Sequence, residues 1–388
     1  MVEWGNHEKC KLLIFLFVSI LMSTAMVSVA NAQFGSWSLP ENYTLVVKMI
    51  DVEGYKAWLQ LFNGTTLVKE AIVSSRPWDP PESRVFIYRK TMYGEADQPF
   101  FVCYLDGVMR GINANVVKLK YGWMISDNNI TIFNLGDHLG VFEVYVAWGN
   151  QLVLQNPSNV TLARNSVVDL IENMKFRVND SSDLRYHPFI WNGTAEISGQ
   201  EFIETNGSWN ATNFPAFWYD PKLRIYTEKL SIDHLVNAAN RNISERNLTY
   251  QTYATQMNYM VYKYTGARVD GQANYSAAGW LGEKYVAIKG NVAKLSKLLL
   301  EMKERDYKLI SSSNPTMWTK QLYEGYNLSI KDISVDSDKV WIQLTKDGIV
   351  VDDQILTEGA LYVYRNATDS EVINATVDTI FRGTQTNL

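Results

Sequence analysis

Cysteine is nearly missing from this chain. Only Cys10 and Cys103 occur in 388 residues, and Cys10 falls in the leader described below, which leaves Cys103 without a partner in the chain. An internal disulfide framework is thereby excluded, and stability has to come from packing. Cys103 lies in the apolar stretch Pro99–Leu105, where a small buried side chain is the expected role. Histidine is scarce too: past the leader only His138, His187 and His234 remain, none in His-Glu-x-x-His or another paired metal spacing. No Gly-x-Ser-x-Gly elbow, phosphate loop or dinucleotide fingerprint occurs. Catalytic, cofactor-binding and metal-ligating roles are therefore assigned to no residue. Lys and Arg number 36 against 41 Asp and Glu, a net charge of −5 with no basic stripe, and nucleic acid is not an expected partner. Beyond residue 29 no run is apolar and long enough to span a membrane, so the expectation is a mature chain without a transmembrane anchor.

What is present begins with a leader. Lys9 and Lys11 precede the apolar run Leu12–Val29, and Ala30-Asn31-Ala32 supplies small residues at the cleavage spacing. Residues 1–32 read as a secretory signal peptide, with Gln33 as the new N-terminus. Apolar residues make up 46% of the chain, ample for a core in more than one domain. Asn-x-Ser/Thr sequons begin at Asn42, Asn63, Asn129, Asn159, Asn179, Asn192, Asn206, Asn210, Asn242, Asn247, Asn274, Asn327, Asn366 and Asn374. In a secreted chain these are candidate N-glycan acceptors, and an acceptor that is used has to lie on the surface.

The chain also repeats itself. Residues 41–62, ENYTLVVKMIDVEGYKAWLQLF, return at 324–345 as EGYNLSIKDISVDSDKVWIQLT, an offset of 283 from Tyr43 to Tyr326. Phe86-Ile87-Tyr88-Arg89 returns as Tyr362-Val363-Tyr364-Arg365, and the segment Met109–Asn115 returns as Phe381–Asn387. Nothing answers to the stretch from Val117 to about Ser181, so the second copy reads as incomplete. A duplication of this period is how chains build extended arrays.

Each copy alternates with a period of two. Ala57, Leu59 and Leu61 share one face, as do Val340, Ile342 and Leu344, with Trp58/Gln60 and Trp341/Gln343 opposite. Asn63-Gly64 and Asp347-Gly348 supply the positive φ of a tight hairpin. Further strands are expected over 67–73, 84–89, 100–105, 116–121, 142–147, 176–178, 224–230 and 285–288. Two stretches show helical period: 292–302 after a cap at Asn291, and 167–174 after a cap at Asn165. They predict short helices covering β-sandwiches. Polar clusters near 179–183 and 311–315 mark expected boundaries.

Acids near the repeat invite a site reading. Asp51/Glu53 and Asp336/Asp338 are the closest local pairs, but they do not correspond between copies, and a loop-shaping role is expected. Asp332, Asp336, Asp338 and Asp347 offer the oxygens calcium prefers, yet their counterparts include Met49, Glu53 and Tyr55, so no cation site is shared by both copies. Twelve Trp and 22 Tyr residues also suit sugar-binding platforms, and recurrence of Trp58/Trp341 fits packing within each lobe as well. A secreted carbohydrate-binding module or adhesin is the alternative reading of such a surface.

At FPAFWYDPKLRIYTEKLSI (214–232), AAGWLGEKYVAIKG (277–290), LSKLLLEMKERDYKL (295–309) and EGYNLSIKDISVDSDKVWIQLTKDGIVVDD (324–353) the chain resembles the S-layer family duplication domain, the tandem unit of surface-layer proteins of methanogenic archaea. The resemblance implies a mainly β fold of tandem β-sandwich lobes. It implies a β-sandwich lobe at 33–181 like the second half of a unit, a β-rich lobe at 182–320 like the first half of the next, and at 321–388 the incomplete start of a second copy of the lobe at 33–181. It further implies a structural, non-enzymatic glycoprotein of the cell surface, assembling laterally with other S-layer subunits, itself or a full-length paralogue, into a porous coat.

Overall fold

The computed structural model describes residues 35–259 and 274–380. The leader at 1–32 and the recurrence at 381–387 lie outside the described residues. Strands dominate, and the helical pieces among the described residues are two 3-10 turns, Pro81–Arg84 and Ile288–Gly290. No helix among them is long and apolar enough to cross a membrane.

The two expected covering helices are strands. Over 292–302 the chain forms Lys294–Glu301, laddered to Glu283–Ala287 on one side and to Asn115–Ile132 on the other. Asn291 begins no helix: its N–H closes the 3-10 turn on the Ile288 carbonyl at 3.0 Å, and its Oδ1 accepts the Ala293 N–H at 3.0 Å in a local turn that feeds the strand. The stretch 165–178 is a hairpin, Ser166–Ile171 with Met174–Val178, turned at Glu172 with φ of 49°. β-Branched Val167, Val168 and Ile171 favour that outcome, and Asp169 and Lys175 pair across it at 2.7 Å. The strand expected over 224–230 begins only at Lys229 and runs to Ile232, because Thr227 and Glu228 are committed to a side-chain network described below.

The duplication folds the same way twice. Ser36–Ser38, Tyr43–Asp51, Lys56–Asn63 and Thr66–Ser74 form an antiparallel sheet in chain order, and Trp318–Gln321, Tyr326–Ile333, Lys339–Lys346 and Ile349–Thr357 form its counterpart. The agreement extends to irregularities. The register shifts between Val47 and Met49 in one and between Ile330 and Asp332 in the other, and again between Leu61/Phe62 and Leu344/Thr345. All four positions are related by the repeat offset, so a bulge is encoded at Lys48 and at Lys331. The alternating faces are as expected: Ala57, Leu59, Leu61, Val340, Ile342 and Leu344 are all buried. One detail differs. Asn63 is the last strand residue, and the turn's positive φ comes from Gly64 (56°), matching Asp347 (51°) in the second copy.

The described residues form two compact units drawn from interleaved stretches of the chain. Of the described residues, one takes 35–84, 105–119 and 308–380, the other 85–104, 120–259 and 274–307. In the first, the second-copy sheet packs against the hairpin Leu361–Arg365/Glu371–Thr376 around Tyr326, Leu344 and Tyr362. In the second, a six-stranded sheet and the five-stranded sheet containing the 166–178 hairpin share one apolar core, with Phe142, Leu154, Trp209 and Tyr250 of the first meeting Phe176 and Tyr186 of the second. Two faces closing over a common interior is the sandwich solution to burying one side of each sheet. Cys103 is fully buried in the long strand Glu95–Arg110, and burial pushes its thiol pKa up.

Candidate functional site

The fourteen sequon asparagines stand at the surface or partly so. Asn42, Asn63, Asn129, Asn159, Asn192, Asn206, Asn242, Asn366 and Asn374 are exposed, and Asn179, Asn210, Asn247, Asn274 and Asn327 are half-buried. Three of them fold their own sequon into a turn. Asn192 Oδ1 accepts the N–H and hydroxyl of Thr194 at 3.0 and 2.9 Å, Asn210 does the same with Thr212 at 2.8 and 2.6 Å, and Asn366 with Thr368 at 3.0 and 2.7 Å. Such a turn leaves the amide nitrogen, the atom a glycan would take, outside its hydrogen bonds. At Asn179, Asn247 and Asn374 that nitrogen instead donates to Glu201, the Glu245 carbonyl and Glu371, at 2.5, 3.0 and 2.8 Å.

Two of the quoted motif segments, 214–232 and 277–290, meet around one buried carboxylate. Glu228 accepts the Trp218 N–H at 2.8 Å, the Tyr250 hydroxyl at 2.7 Å and the Gly282 N–H at 3.0 Å. Its neighbour Thr227 accepts the Gly279 N–H at 2.7 Å, while Thr252 donates to the Gly279 carbonyl at 2.8 Å. The aromatic-Tyr-Asp segment, the Thr-Glu-Lys-Leu strand and the Gly-Trp-Leu-Gly turn are thus pinned together. Burial pushes the Glu228 pKa up to about 7 against the pull of these donors. Gly279 is required: an added Cβ would sit 2.5 Å from Glu228 Oε2. Sequence reasoning passed over Glu228, because two of its three donors are backbone N–H groups, which no side-chain pattern reports, and its side-chain partner Tyr250 lies 22 positions away.

The acids of the repeat separate into different roles. Asp51 accepts the Gly54 N–H at 2.8 Å and Asp336 the Ser334 hydroxyl at 2.9 Å, both shaping loops. Asp332 is fully buried and its carboxylate is filled by N–H groups: Ile112 at 3.2 Å, Asn113 at 2.9 Å, Ala114 at 2.8 Å and its own neighbour Ile333 at 3.0 Å. It is an anchor for the Arg110–Asn115 turn, with its oxygens spent on donors. Among the described residues no three His, Cys, Asp or Glu side chains gather as metal ligands. A recess of about 550 Å³ has Asp338, Glu358 and Asp378 on its walls, and there Glu358 accepts the Ile380 N–H at 2.8 Å. Trp58 donates its indole N–H to Glu70 at 3.1 Å, and Trp341 donates to Asp353, the equivalent acid on the equivalent strand. Trp341 is buried and Trp58 half-buried, so the pair belongs to sheet packing. His138 is exposed, while His187 and His234 are half-buried in other segments.

The geometry combines two copies of one sheet, locked motifs and sequon asparagines that are exposed or half-buried. A family model described as S-layer protein matches residues 19–180 and 198–388. The chain belongs to the S-layer protein family. Within it, the chain is similar to the major S-layer protein of Methanosarcina barkeri, with 30% identity over 363 residues, covering 88% of this chain and 51% of that protein. The major S-layer protein of Methanosarcina mazei is 28% identical over 364 residues, covering 89% and 51%. That of Methanosarcina acetivorans is 27% identical over 344 residues, covering 86% and 49%. This S-layer family chain spans about half the length of the curated relatives it matches. The two separate matches to one family model parallel the internal duplication.

Proposed function

We propose that the chain is a structural component of an archaeal surface layer, exported to the cell exterior and acting by lateral assembly into a protective, porous, N-glycosylated coat. The observation that carries this reading is the family match over nearly the whole chain, coupled to a duplicated sheet that keeps its register and bulges in both copies. Repetition of a rigid unit suits tiling. Buried acids that could suggest chemistry are committed largely to backbone donors, an arrangement that, with the family, supports a role without catalysis. The segments 33–181, 182–320 and 321–388 serve as half-units of the array, and the sequon asparagines as its glycan attachment points.

Electron microscopy of the purified, glycosylated chain tests the reading: ordered two-dimensional arrays, alone or with a full-length relative, are expected. Specific polysaccharide binding by a monomer, lost on changing an exposed aromatic such as Trp78 or Trp148, would replace it with the carbohydrate-binding reading. Glycopeptide mass spectrometry tests the acceptor assignment residue by residue.

A further inference from the structure

The two copies of the sheet differ in what lies on one face. In the second copy Asp332, Trp341 and Ile355 are cross-strand partners in a single row. That row is covered. Asp332 is 0% and Trp341 3% exposed, and Trp341 and Ile355 pack with Met109, Ala114 and Val116. The cover is the Met109–Asn115 turn, whose N–H groups fill the Asp332 carboxylate and whose Arg110 carbonyl accepts the Val335 N–H at 3.0 Å. Gly111 is bridged to Ser334, and a Cβ there would collide with the Asp332 carboxylate. The turn therefore fits its seat closely.

In the first copy the same row is Met49, Trp58 and Ile72, again cross-strand partners at the repeat offset. Met49 is 54% and Ile72 68% exposed, and Trp58 is half-buried. A flat apolar row left in water beside a twin that is covered marks a contact surface. The covering segment also exists twice in the chain: Phe381-Arg382-Gly383-Thr384-Gln385-Thr386-Asn387 repeats the Arg-Gly step and the closing Asn, with Phe381 in place of Met109.

We propose that the Met49–Trp58–Ile72 row receives the 381–387 segment of a second copy of the chain, seated as Met109–Asn115 is seated on Asp332–Trp341–Ile355 within one copy. The inference rests on the assembly reading above and names the contact through which it proceeds. Such a contact is head-to-tail, and it propagates from copy to copy instead of closing a symmetric pair. Met49 stands where Asp332 stands, so the intermolecular contact lacks the carboxylate and is the weaker of the two; a flexible thioether still fills the seat.

The substitution Met49→Asp separates this idea from general stickiness. Sedimentation velocity of the mature full chain across a concentration series should show self-association that Ile72→Lys weakens at least tenfold and that Met49→Asp tightens by about tenfold, the yield of a charged acceptor meeting backbone donors. Removal of residues 381–388 should abolish the association, with thermal unfolding of the remainder checked in parallel. If Met49→Asp weakens association as Ile72→Lys does, or if the shortened chain associates as before, the proposed occupant is wrong. Arrays that form equally well from every variant would sink this contact and leave the assembly reading standing. A wild-type chain that neither associates nor decorates envelopes would remove both.

Discussion

Asp332→Ala is the sharpest test of how the two copies are joined. The carboxylate serves four N–H groups, but they are not equally dependent on it. Ile112 has a second acceptor in the Ile333 carbonyl at 3.2 Å, and Asn113 is exposed and can turn to water. Ala114 is buried, and its N–H loses its acceptor outright. Loss of the acceptor of the buried Ala114 N–H and of the buried Ile333 N–H, plus the weakened charged contacts, amounts to about 3 kcal/mol. The matching change in the first copy, Met49→Ala, removes an exposed side chain and should stay within about 0.5 kcal/mol of wild type. Urea unfolding followed by tryptophan fluorescence suits the measurement, since Trp341 lies across the strand from Asp332. The unfolding curve should be fitted with more than one transition, because the chain contains two units. An Asp332→Ala penalty no larger than that of Met49→Ala would refute the clamp.

Other expectations concern the second unit and the glycans. Glu228 has a folded pKa raised from 4.5 to about 7, so the folded state keeps its proton while the unfolded chain ionises. Stability then declines as pH rises from about 4.5 to about 7, by roughly 3 kcal/mol in total, and Glu228→Gln should remove that slope; a wild-type-minus-variant difference that is flat from pH 4 to 7.5 would contradict it. Gly279→Ala should cost about 3 kcal/mol by forcing a Cβ onto Glu228, whereas Gly107→Ala, which meets open space, should be close to neutral in the same thermal melts. Glycopeptides should be recovered more completely at Asn192 and Asn366, whose amide nitrogens stay outside their turns, than at Asn179, whose nitrogen is held by Glu201. Equal recovery at all three would dismiss any influence of the local turn.

Alternation made the repeated sheets legible: a period of two over Lys56–Asn63 and Lys339–Lys346 assigns buried and outward residues directly. Helical spacing misleads at 292–302 and 167–174 because short apolar runs fit both periods: the first becomes a strand between Glu283–Ala287 and the distant Asn115–Ile132, the second a hairpin with the adjacent Met174–Val178. Asp332 was visible only as one acid among several. Its actual partners are backbone groups of residues 112–114, which no pattern of side chains reports. Glu228 was hidden for the same reason, and it shortened the expected strand over 224–230 by drawing its own residues into the network.

Asp332 closes a contact across 220 positions of chain. Until the ribosome has delivered the later sheet, the Gly111 turn has no acceptor for its amides, so this region completes itself last. Segments made in between have a head start, and pairing at such long separation is intrinsically slow. A chain built this way emerges with the amides of residues 112–114 lacking their native carboxylate until the later sheet has been made.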